Sequence, residues 1–172
     1  MNKFLTLLCL SFCLMSFNIE LKERKVLNGK ISLLLPSDFT KMDESILLVK
    51  YPNLGNRPNE VYTNDKGSVN VAFNHTSSPV NESELPQVKK AIQQQLSNTN
   101  GIEILKTEKL KINNTDFITI EFMSNAVDTK IYNTIFITAL DGRLLLGTFN
   151  CTVNDFDEWK PISKKIINSI RK

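Results

Sequence analysis

The hydrophobic pattern divides the chain into alternating strand-like and helix-like stretches. Lys30–Leu35 is an apolar run stopped by Pro36, which predicts a strand. Asp43–Lys50 opens with acids and predicts a short helix that ends before Pro52. The stretch from Pro52 to Asn59 is dense in Pro, Gly and Asn and reads as a long loop. Val61–Thr63 and Ser68–Phe73 then flank Asn64-Asp65-Lys66-Gly67, a hairpin signal in which Gly67 supplies positive φ. Asn74–Glu82 reads as a polar connection. Ser83–Ser97 places Leu85, Val88, Ile92 and Leu96 on one helical face, with Pro86 in the first turn, where its missing N–H is harmless.

The second half predicts four strands and a helix. Ile102–Ile112 turns at Asn113-Asn114 into Phe117–Met123, where Ile118, Ile120 and Phe122 share a side. Lys130–Leu140 sets Ile131, Ile135, Ile137 and Ala139 on one side, and Tyr132, Phe136 and Leu140 on the other. Asp141-Gly142 is a two-residue hairpin turn leading into Arg143–Thr152. Strands apolar on both sides call for cover on both faces of the sheet. Asn154 or Asp155 caps a final helix running to about Ser169. Its inward face is Phe156, Trp159, Ile162, Ile166, Ile167 and Ile170. The expected class is α/β (α+β): a mostly antiparallel sheet of about six or seven strands flanked by helices, in an α-β-α sandwich.

Composition adds a compartment. Residues 1–17 join Lys3 to an apolar run from Phe4 to Phe17, the form of a secretory signal peptide. A membrane span needs about 20 apolar residues, and this run is shorter. We therefore expect a signal peptide over 1–17, a polar lead-in over 18–28 and one domain over 29–172. Of Cys9, Cys13 and Cys151, two fall in the leader, so the mature domain keeps a single thiol and forms no internal disulfide. Leu10-Ser11-Phe12-Cys13 offers Cys13 as an alternative lipidation site, although Phe12 is bulky for a lipoprotein cleavage box. The formal charge is +3, and Lys3 is the only charged residue of the leader, which leaves +2 on the domain. That balance argues against nucleic acid as a partner, and makes a membrane relevant only through a lipid anchor.

Three phrases carry a resemblance. They are Ile31-Ser32-Leu33-Leu34-Leu35-Pro36-Ser37-Asp38-Phe39, Gly67-Ser68-Val69-Asn70-Val71-Ala72-Phe73, and the closing hairpin and helix from Tyr132 to Ile170. With the element order, they resemble the superfamily that holds the photosystem PsbP proteins, the Mog-type Ran-binding proteins and the bacterial DcrB-like envelope proteins. The resemblance implies a sheet between helices, and accessory or binding work more often than catalysis. Each phrase concerns the fold, so no ligand residue is carried over.

Chemistry-bearing residues are sparse. His75 is the only histidine, and no nucleophile motif accompanies it. Cys151, at the end of the last strand, reads as a small buried residue. Asp155, Asp157 and Glu158 lack the Gly and distal Glu of a calcium loop and suit a helix N-terminus. Asp38, Asp43 and Glu44 are equally weak as an acid–base pair. The N-x-S/T triplets at Asn74, Asn81, Asn113 and Asn150 arise readily in an Asn-rich chain. The loop from Tyr51 to Glu60 is the candidate binding element, with Tyr51 and Arg57 as its anchors. The expectation is a non-catalytic envelope or secreted domain without a cofactor, placed in the periplasm, the envelope or outside the cell. Its partner is an envelope or secreted protein or a small ligand. The alternatives are a lipid-anchored envelope protein and an enzyme with an unrecognised site.

Overall fold

The structure, a computed structural model, describes residues 19–172. The leader expected over 1–17, with Cys13, lies outside the described residues. A hairpin of β1 (Leu21–Val26) and β2 (Ile31–Pro36) opens the domain. β3 (Thr40–Lys41), α1 (Glu44–Lys50), β4 (Glu60–Thr63), β5 (Val69–Pro79) and α2 (Leu85–Ser97) follow. A meander of β6 (Ile102–Ile112), β7 (Thr115–Asn125), β8 (Lys130–Leu140) and β9 (Arg143–Thr152) leads to α3 (Phe156–Asn168). Seven strands form one antiparallel sheet in the order β3-β4-β5-β9-β8-β7-β6. The meander turns carry positive φ at Asn113 and Asn114, and again at Asp141 and Gly142, as two-residue hairpins require.

Both faces of the sheet are covered, as the two-sided apolar strands demand. On one face, α3 and the β1–β2 hairpin close over a core that includes Val71, Phe117, Tyr132, Phe136 and Phe149. Trp159 of α3 stacks between Phe39 and Phe149, with ring centroids 5.4 and 6.4 Å away. Leu33, Leu35 and Phe39 of the opening phrase are all buried there. On the other face, Leu85, Val88, Ile92 and Leu96 of α2 pack over Ile118, Ile120, Ile135 and Ile137. α1 covers a smaller cluster of Met42, Val61 and Ala72 through Leu47 and Tyr51.

Two expectations are corrected. The described part of the expected lead-in, residues 19–28, belongs to the domain, because β1 pairs with β2 along its whole length and Val26 and Leu27 enter the main core. Its charged residues Lys22, Glu23 and Lys25 face water, so the segment looks like a linker in sequence. Leu27, Asn28 and Gly29 all take positive φ in its turn. Nor do Asn74–Pro79 form a connection. They continue β5 against β9, past an irregularity between His75 and Pro79. The chain's end also joins the hairpin: Ser32 and Arg171 exchange backbone hydrogen bonds of 2.9 and 2.8 Å, and the Leu34 N–H donates to Ser169 Oγ.

Candidate functional site

α1 has no buried residue. Leu47 and Tyr51, one turn apart, hold it to the sheet, and Lys50 Nζ donates to Gly67 O and Asn70 Oδ1 beneath it. That anchoring turns Ile46 and Val49 to solvent, 53% and 82% exposed. Leu54, in a short 3-10 turn over Leu54–Asn56, is 79% exposed. Leu48 is 44% exposed as well, and exposed apolar residues that cluster mark interaction surfaces more often than scattered ones do.

The loop between α1 and β4 is held by its own hydrogen bonds. Arg57 Nε donates to Tyr51 O at 2.8 Å, and its terminal nitrogen to Pro52 O at 3.2 Å. Asn53 Oδ1 accepts from the Gly55 N–H, an Asx turn. Arg57 therefore shapes the loop with its head group. The Tyr51 ring is half-buried, and burial raises its hydroxyl above the usual tyrosine range. A cleft of about 140 Å³ opens beside it, between Pro58, Asn74, Leu146 and Thr148.

A second polar construction lies under α3. Glu121 of β7 faces the main core and is 7% exposed. The Tyr132 hydroxyl donates to Glu121 Oε2 at 2.8 Å and accepts from Thr134 Oγ1 at 3.1 Å. Desolvation pushes the Tyr132 hydroxyl well above its ordinary range, so it stays a donor at every physiological pH. Lys160 Nζ stands 3.8 Å from Glu121 Oε2 and 4.9 Å from the Phe156 ring centroid. Glu121, Tyr132 and Thr134 border a cavity of about 160 Å³ between α3 and strands β6–β8. Sequence reading missed this cluster. Its signal is Glu121 itself, a charge on the side of β7 opposite Ile118, Ile120 and Phe122.

The other candidates have structural partners. His75 lies in β5, with Nε2 2.9 Å from Leu140 O. Cys151 is fully buried in the main core, and burial, with Asp155 nearby, pushes its thiol up to about 12. Asp155 Oδ2 accepts from Thr152 Oγ1 at 2.8 Å. Asp157 and Glu158 occupy the first turn of α3. Asn150 Oδ1 accepts from Asn70, Asn113 Nδ2 donates to Ile170 O, and Asn81 forms a capping box with Glu84. Asp38, Asp43 and Glu44 lie at or near the ends of β3 and α1, and among the described residues no cluster of three or more His, Cys, Asp or Glu could hold a metal ion.

This architecture defines a known fold class. The cyanobacterial PsbP of Synechocystis sp. PCC 6803 superposes with a TM-score of 0.60 at 13% identity, over 94% of this chain and 98% of that one. The Ran-binding protein Mog1p of Saccharomyces cerevisiae gives 0.58 at 12% identity, over 90% and 96%. The chain thus has the PsbP/Mog1 fold, as the sequence resemblance implies. No family description and no curated protein matches the sequence. Among the described residues, no helix is long and apolar enough to cross a membrane.

Proposed function

We propose that this protein is an exported, non-catalytic binding domain that docks on an envelope or secreted protein through α1 and the loop that follows. The exposed apolar residues Ile46, Leu48, Val49 and Leu54 of α1 and its loop carry the reading. It is presented by a helix pinned through Leu47 and Tyr51 and by a loop clamped by Arg57, so docking orders little that is not already ordered. The leader expected over 1–17 supports export, and a neighbour of the same fold that is a Ran-binding protein supports protein docking. Anchoring through Cys13 would change only its placement. Intact mass distinguishes the two: an acylated N-terminal Cys13 marks the anchored form, and a start near Phe17 the free one.

The test is cross-linking in the native host with a C-terminal tag, beside a Val49→Asp/Leu54→Asp variant. One reproducible envelope partner, lost in the variant while its circular dichroism and melting are unchanged, is the expected result. A partner retained equally by the variant refutes docking through α1, and so does the absence of any cross-linked protein.

A further inference from the structure

The cavity under α3 contains more hydrogen-bonding capacity than the protein uses. Glu121 is more than nine-tenths buried, yet its protein partners, Tyr132 and Lys160, both address Oε2. A carboxylate has about four acceptor sites. Thr119, two residues earlier on the same side of β7, is 6% exposed and its hydroxyl makes no hydrogen bond within the described residues. No buried side-chain nitrogen or oxygen is sealed away without a partner, so these free sites open onto the cavity. Groups that face an open cavity without a protein partner are free to take hydrogen bonds from a bound molecule.

The charges around this space are arranged in two tiers. The floor holds the Glu121 carboxylate, with Lys160 at 3.8 Å, too far for a hydrogen bond. The rim holds Lys164, exposed on α3, which pairs with no acid among the described residues. Glu108, also on the rim, is already paired with Lys106 at 2.7 Å. A negative, donor-seeking floor beneath an unpaired cation suits a ligand with an ammonium at one end and a carboxylate at the other. Leu110 and Ile167 supply apolar wall between the tiers. The volume of about 160 Å³ is roughly ten times what one water needs, and well below the usual range for drug-sized ligands.

We propose that this cavity binds a free α-amino acid with a small apolar side chain. Its ammonium donates to Glu121 and Thr119, its carboxylate faces Lys164, and its side chain lies against Leu110 and Ile167. Lys160, whose side chain is partly exposed, holds Glu121 loosely when the site is empty and swings outward as the ammonium enters. The site is separate from the α1 face, so either assignment stands or fails alone.

The experiment is calorimetric titration of the purified mature protein with each of the twenty amino acids, with melting and the emission of Trp159, the only tryptophan, as parallel readouts. Binding of alanine-to-valine-sized amino acids is expected. N-acetylated and amidated forms of the same compounds are expected to bind about tenfold or more weakly. Lys164→Met, at an exposed position, is expected to lose about tenfold with unchanged melting, and Thr119→Val to lose affinity too. Lys160→Met leaves Glu121 without its cation and is expected to bind more tightly. Failure of every amino acid to bind at about 10 mM overturns the assignment. So does binding that is indifferent to N-acetylation or to Lys164→Met, because either result removes the zwitterion.

Discussion

The Phe136 ring lies directly over Gly147, its cross-strand partner at the centre of the sheet. A Cβ at Gly147 would fall on the ring carbons Cε2 and Cζ, well inside van der Waals contact. Gly147 has an ordinary strand φ, so its glycine is explained by the space the ring fills and not by backbone conformation. Phe136 in turn meets Phe73 edge-on at 6.1 Å, which fixes the ring from its far side.

Gly147→Ala is therefore expected to destabilise the domain by about 1–3 kcal/mol or more, through overpacking. Urea denaturation measures it. Phe136→Leu in the Gly147→Ala background should recover part of the loss. Additive losses would show that the two residues are not coupled.

Tyr132→Phe removes the hydroxyl shared by Glu121 and Thr134. The buried carboxylate is left with a long contact to Lys160, and a loss of about 1–3 kcal/mol is expected. Tyr132→Phe combined with Glu121→Leu should be more stable than Tyr132→Phe alone, because no buried charge then lacks a donor. Thermal melts of the set provide the check.

Cys151 sets an alkaline dependence. Its thiol is raised to about 12 in the folded protein against an ordinary value near 9. The raised group contributes stability that is complete below about pH 9 and declines as pH rises toward about 12, where the unfolded chain releases the proton first. The stability difference between the wild type and Cys151→Ala should therefore shrink across that window. Thiol reagents should modify Cys151 only as fast as the protein opens, and prompt labelling under native conditions would contradict its burial.

A chain that begins at Gly29 tests the boundary expected from sequence. It lacks β1 with Val26 and Leu27, whose burial is worth roughly 1.5–3 kcal/mol each. It also bares one edge of β2. Such a protein should aggregate or melt markedly lower than one that begins at Ile19, and equal melting of the two would return residues 18–28 to the status of a linker.

The parts legible in sequence are those where one physical signal dominates. Two-sided apolar alternation in β7 and β8 gave both sheet faces. Asn113-Asn114 and Asp141-Gly142 marked their turns by residue type, and α3 showed its inward face from Phe156 to Ile170. β1 was illegible because only Leu21 and Val26 of its six residues are apolar, and its cover comes from elements distant in sequence. The far end of β5 was illegible because its partly exposed residues there, Asn74 to Thr76, follow no apolar alternation. For the candidate binding element, residue type favoured Tyr51 and Arg57, whereas the exposed apolar groups of α1 and its loop are Ile46, Leu48, Val49 and Leu54. Propensity does not reveal that Arg57 folds back onto the Tyr51 and Pro52 carbonyls. Glu121 and Thr119 fall into place only when β7, β8 and α3 are assembled.

The exchange of hydrogen bonds between Ser32 and Arg171 bears on how the molecule is made. The first hairpin has no complete seat until the last residues arrive to border it. A contact between residues so far apart in sequence closes a loop that spans most of the domain, and its entropy cost is offset only once the intervening sheet has formed. This seam is therefore expected to be among the last parts of the domain to gain protection from amide exchange and among the first to lose it.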